Sequence, residues 1–142
     1  MSADRAFLDT NVLVYIFDHD EPSKGRRAQG LLAQATPGGL AVSAQVMSEF
    51  YVTVTRKLSR PLDEDAALEA VEWLGLLNVV AIDSDTVRAA IATSRSARIS
   101  YWDALIVSAA QAGGCERLLT EDLNHGQTIG SVRVENPFHP AP

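Results

Sequence analysis

The feature that most constrains how this chain folds is an alternation in which short apolar runs of strand length recur along the sequence, each followed by a segment with helical spacing. Phe7 and Leu8 end the first run at Asp9, and after Thr10-Asn11 the residues Val12, Leu13, Tyr15 and Ile16 suit a short helix better than a strand. Pro22 is placed to open a helix running to about Ala35, with Ala28, Leu31, Leu32 and Ala35 as its buried stripe, and Pro37-Gly38-Gly39 ends it. A brief strand over 40–42 follows. Ser43 then serves as N-cap to a helix whose Val46, Met47, Phe50, Tyr51 and Val54 line one side, with Glu49 near the edge of that stripe. Leu62-Asp63 starts another helix that buries Ala66, Ala67, Ala70, Val71 and Leu74, and 79–82 reads as a β-branched strand. Ser84 or Asp85 caps the next helix, to about Ser96. Ser100 starts the last long helix over 101–112, which Gly113-Gly114 closes, and a strand over 117–119 ends on Thr120-Glu121-Asp122. Val132 and Val134 suggest a final edge strand. Strands separated by helical patterns predict βα units and a central parallel sheet flanked by helices on both faces. No long Pro/Gly/Ser linker, repeat or low-complexity tract divides the chain, so a single α/β domain over 1–142 is expected.

The chain's 142 residues, 46% of them hydrophobic, are enough for one real core. No apolar run reaches the roughly 18 residues of a transmembrane helix, and the start lacks the basic-then-apolar layout of a signal peptide, so a cytoplasmic protein is expected. Cys115 is the only cysteine and forms no intrachain disulfide; it is given no role. A net charge of −6 argues at first against nucleic acid, because most affinity for phosphate backbones comes from Lys and Arg. The objection weakens if four of the 18 acids hold metal, and the bases are clustered as Lys24, Arg26 and Arg27; Arg56, Lys57 and Arg60; Arg95 and Arg98. Such clusters are commonly just solvated faces; they permit RNA binding without requiring it.

In a parallel α/β sheet, ligands collect beyond the carboxyl ends of the strands, so acids placed just after a strand or early in the next helix converge on one rim. Asp9 and Asp122 follow strand-like runs; Glu49 and Asp103 sit early in helices. Each has a plain structural alternative. Asp9 can cap the helix after it, Glu49 can be a surface glutamate, Asp103 can complete a capping box with Ser100, and Asp122 can be a turn residue before Leu-Asn-His-Gly. Taken together, four carboxylates at one rim would repel one another and raise their own pKa values unless cations neutralise them. An all-oxygen set points to Mg²⁺ or Mn²⁺, whereas His19, His125 and His139 lack the spacing of a zinc site. Such a centre activates water for in-line attack on a phosphodiester, with no covalent nucleophile. Thr10, Asn11, Ser43 and Thr120 are candidates to orient carboxylates or water, Asn11 foremost, though caps and turns use the same residue types. His125 could contact phosphate.

The blocks Phe-Leu-Asp9-Thr10-Asn11-Val-Leu-Val-Tyr, Ser43-Ala-Gln-Val-Met-Ser-Glu49-Phe, Ser100-Tyr-Trp-Asp103-Ala-Leu-Ile and Leu-Thr120-Glu-Asp122-Leu-Asn-His-Gly resemble PIN domains, and most closely the VapC toxins of bacterial toxin–antitoxin pairs. The resemblance runs from about Arg5 to Val134 with the four blocks in the family's order. It implies a homodimer, Mg²⁺ or Mn²⁺ dependence, and endoribonuclease activity held in check by a small antitoxin. By position Asp9, Glu49, Asp103 and Asp122 match the family's acids, and Thr10, Asn11 and Thr120 its supporting polar residues. Two other readings stay open. An aspartate-nucleophile phosphatase would also place an Asp after its first strand but wants an acid two residues later, where this chain has Asn11. A non-catalytic module would use the fold to hold RNA or a partner, with the acids as caps and turn residues.

Overall fold

The computed structural model describes residues 4–139. Along them run β1 (Ala6–Leu8), α1 (Thr10–Val14) with a 3₁₀ turn after it (Tyr15–Phe17), α2 (Pro22–Ala33), β2 (Leu40–Ser43) and α3 (Ala44–Arg56). Then come α4 (Glu64–Leu74), β3 (Asn78–Val80), α5 (Ser84–Ala97), α6 (Tyr101–Ala112), β4 (Arg117–Leu119), β5 (Thr128–Ile129) and β6 (Val132–Glu135). The strands form one sheet in the order β3-β2-β1-β4-β6-β5, parallel except for β5. Every residue of β1 and β2 is buried, which requires cover on both faces, as the near-continuous apolar runs predicted.

The strand order fixes where a site can lie. From β1 the chain moves outward to β2 and β3, then returns across the sheet to add β4 on the other side of β1. The connections therefore diverge between β1 and β4, and in open α/β sheets the crevice at that switch point is where ligands bind. Pairing of Phe7 with Leu118 and of Leu8 with Leu119 aligns the two strand ends, and the Asp9 amide donates to the Leu119 carbonyl at 3.0 Å. Behind this rim, α6 is buried along Ala104–Ala110, its small Ala and Ser side chains letting it lie close to the sheet.

Several element boundaries differ from the sequence expectation. Val132 and Val134 belong to an interior strand; the edge is β5, two residues long and joined through a turn at Gly130, whose φ is +59°. Asp83 caps α5 in place of Ser84 or Asp85, its carboxylate accepting from the Thr86 amide and hydroxyl at 2.9 Å each. β3 begins at Asn78 and not at 79, because the Asn78 amide ties it to the Gly38 and Leu40 carbonyls at 3.1 Å; it ends at Val80, leaving extended chain before that cap. α2 stops at Ala33, and Ala66 faces solvent on α4.

Candidate active site

Asp9 ends β1 and begins α1 as its N-cap, so it is fixed by both elements. Its Oδ1 accepts from the Thr10 amide at 2.7 Å and its Oδ2 from the Thr120 hydroxyl at 2.8 Å. It is only 6% exposed, and burial pushes its carboxyl up to about 6 against those two hydrogen bonds, with the charges of Asp122 and Glu49 adding to the rise. The capping role and the site role are thus the same geometry. Thr120, immediately after β4, is fully buried; besides holding Asp9, its oxygen accepts from the Asp122 amide at 3.1 Å and from the Asn11 side-chain amide at 3.4 Å. One hydroxyl therefore ties the ends of both central strands together.

Glu49 projects from α3, where its Oε1 accepts from the Thr10 hydroxyl at 2.9 Å and its Oε2 from the Gln45 amide at 3.3 Å. Asp103 lies in the first turn of α6. Ser100 caps that helix by accepting from the Asp103 amide at 3.1 Å, but among the described residues the reciprocal bond from the Asp103 carboxylate is not made. The expected capping box is therefore half formed, leaving this carboxylate free at a helix N-terminus that favours negative charge. The Asp122 carboxyl is raised by partial burial and by the charge of Asp103, against a hydrogen bond with Asn11.

All four carboxylates line one cavity of about 700 Å³, together with Thr10, Asn11 and a fifth acid that sequence reasoning missed, Asp18. Asn11 also accepts from the Glu121 amide through Oδ1 at 3.4 Å. Ser43 has no place there: it is fully buried, and its hydroxyl caps α3 by accepting from the Val46 amide. His125 lies elsewhere, stacked on His139 at 4.2 Å with its Nδ1 accepting from the Asn136 amide.

A second missed feature borders the cavity. Glu121 is adjacent to Asp122 but does not join the acids: Lys24 from α2 pairs with it at 2.6 Å, and the Tyr15 hydroxyl donates to its other oxygen. Burial pushes the Glu121 carboxyl up, yet these two bonds outweigh it and leave it below the usual range. Nothing local in the sequence marks this latch. It also spends Lys24, while Arg27 donates through Nε to the Pro137 carbonyl at 2.9 Å, so that basic cluster is largely structural.

The donor set fits a hard divalent cation: the cavity presents carboxylates, hydroxyls and amides, and neither imidazole nor thiol lines it. Among the described residues no three His, Cys, Asp or Glu side chains already stand close enough together to hold an ion.

A mostly parallel sheet whose switch point opens on a carboxylate-lined cavity defines a class of α/β domain with an acidic site at the strand ends. Within that class the chain belongs to the PIN domain family, whose model matches residues 6–128. It is 28% identical over 140 residues to ribonuclease VapC24 of Mycobacterium tuberculosis, covering 92% of this chain and 95% of that protein. Among solved structures it is similar to a toxin–antitoxin complex from Klebsiella pneumoniae, with a TM-score of 0.70, 25% identity, and coverage of 94% of this chain and 98% of that one. Its fold also matches the sarcin–ricin loop cleaving toxin VapC20 of M. tuberculosis, with a TM-score of 0.63, 17% identity, and coverage of 82% and 91%. Among the described residues no helix is long and apolar enough to cross a membrane.

Proposed function

We propose that this chain is an endoribonuclease toxin of a toxin–antitoxin pair, cleaving RNA phosphodiester bonds with Mg²⁺ or Mn²⁺ held by Asp9, Glu49, Asp103 and Asp122. The observation that carries the proposal is the convergence of these four carboxylates, from four separate segments, on one cavity at the switch point of a PIN domain. The VapC24 and Klebsiella similarities extend over nearly the whole chain and support both the ribonuclease activity and a small antitoxin partner. The family resemblance adds a homodimer.

The bound cation would supply the Lewis acidity that makes water nucleophilic at neutral pH and offsets charge on the phosphodiester. The chain's own residues set the stage. Thr120 and the Thr10 amide hold the Asp9 carboxylate in one orientation, the Thr10 hydroxyl steers Glu49, and Asn11 with Thr120 fixes the backbone that presents Asp122. Ser100 starts α6 so that Asp103 faces the same space.

Expression of the wild type beside Asp9→Asn, with sequencing of RNA 5′ ends, tests this. New 5′ ends and growth arrest are expected with the wild type only. Full cleavage by Asp9→Asn would refute the mechanism. The non-catalytic module draws support from the acids not being gathered around an ion position; Mn²⁺ titration separates the two, since that alternative predicts no binding that Asp9→Asn abolishes.

A further inference from the structure

The cavity extends well beyond the acids. Gln45, Ser48, Glu49, Val52 and Thr53 of α3, then Lys57 at its C-cap, all line it, and their spacing puts them on one helix face about 18 Å long. Lys57 is the only Lys or Arg among the lining residues. A groove with one cation cannot bind a nucleic acid strand mainly by neutralising phosphates. Beyond what a bound cation would contribute at the acids, another contact is needed to hold a strand along this face.

At the acidic end of this groove stands Trp102, adjacent in sequence to Asp103 and 63% exposed, a large aromatic surface left open to water beside the acids. Its ring is braced. Tyr101 meets it edge-to-face at 5.1 Å between centroids and an interplanar angle of 74°. Tyr101 is itself packed on the small core of Ala90, Ala104 and Leu105 between α5 and α6. One side of the indole is therefore backed by its neighbour while most of its surface is exposed.

Resting on the ribonuclease reading above, we propose that Trp102 is a base-stacking platform that takes an unpaired nucleobase flanking the scissile phosphate, making the substrate a single-stranded RNA segment led along α3 toward Lys57. Aromatic stacking is tolerant of sequence and demands a base already out of its helix, because a duplex turns its bases inward. It also helps account for how a protein of net charge −6 holds RNA, because a stacked ring adds affinity that does not depend on a basic surface.

The chain has two tryptophans, so Trp73→Phe leaves Trp102 as the sole indole reporter. That variant, kept free of divalent ions to prevent cleavage, is titrated with random-sequence single-stranded RNA, with the same backbone carrying abasic residues, and with blunt RNA duplex. Quenching of Trp102 fluorescence by the single strand alone is expected; equal quenching by the abasic strand, or none at all, overturns the proposal. On a substrate identified from cleavage ends, Trp102→Ala should raise KM roughly 5- to 100-fold with kcat little changed, and Trp102→Phe should recover most of the loss. An unchanged KM for Trp102→Ala overturns it, as does a change of oligomeric state in that variant without any quenching, which would place the indole between two copies of the chain. The quenching is read without cleavage, so a wild type that cuts no RNA would sink the ribonuclease reading while the stacking result stands by itself.

Discussion

Thr120 holds Asp9, supports the Asp122 amide and receives the Asn11 amide through one oxygen. Thr120→Val keeps the shape and deletes that oxygen. It should lower kcat/KM about 10- to 100-fold, as loss of a residue orienting a ligand typically does, with Thr120→Ser near wild type; a fully active Val variant would deny the residue its role. Asp9 makes a second prediction at this scale. Its pKa is raised from 3.8 to about 6 in the fold, so between those values the native state holds a proton that the unfolded chain has released. The cost of ionising it is complete above about pH 6 and recedes as pH falls. In EDTA, the melting temperature should therefore rise from pH 7 to pH 5, this group contributing about 1 kcal/mol over that interval, and Asp9→Asn should flatten the rise. A flat wild-type profile would contradict the buried carboxylate. The four acids and Thr120 were legible in the sequence because each follows an apolar run or a cap signal. Asp18 and the Tyr15–Lys24–Glu121 latch were not, since the latch joins positions 97 and 106 residues apart and only the tertiary fold brings them together.

At the level of elements, α2 reaches the site through a close approach. A Cβ on Gly25 would sit 2.8 Å from the Tyr15 carbonyl oxygen, so only glycine lets α2 pack on the 3₁₀ turn and deliver Lys24 to Glu121. Gly25→Ala should destabilise by about 1–3 kcal/mol through overpacking, despite alanine's better helix propensity, whereas Gly30→Ala, which meets nothing within 4 Å, should be neutral or stabilising. Denaturant melts of the two variants decide it, and equal stability would remove the steric argument. Elements with strong local signals were readable: α6 fell at 101–112 because Ser100 and Gly113-Gly114 bracket an apolar run. The α5 cap was misread because Asp83, Ser84 and Asp85 are all good caps and local sequence does not rank them. The edge was misplaced because β5, at two residues, is too short to leave a periodic pattern.

Across the whole molecule, the main core runs from β2 to β6, and Cys115 is sealed within it. Burial pushes its thiol up to about 11, so the reactive thiolate is scarce as well as hidden. Thiol labelling near neutral pH should be slow in the native protein and should follow global unfolding in denaturant; rapid native labelling would mean that the core opens locally. The fold class was plain from the sequence because the βα alternation spans the chain, while strand order was not, because periodicity says nothing of which strand lies beside which. That order has a consequence in time. The neighbour that completes β1 is β4, and it brings Thr120 and Asp122, Thr120 lying 111 residues after Asp9. During synthesis Asp9 and Glu49 are made long before the hydroxyl that orients Asp9, and Asp103 only shortly before it. A product interrupted before β4 lacks both Thr120 and Asp122, and so carries no complete acidic site.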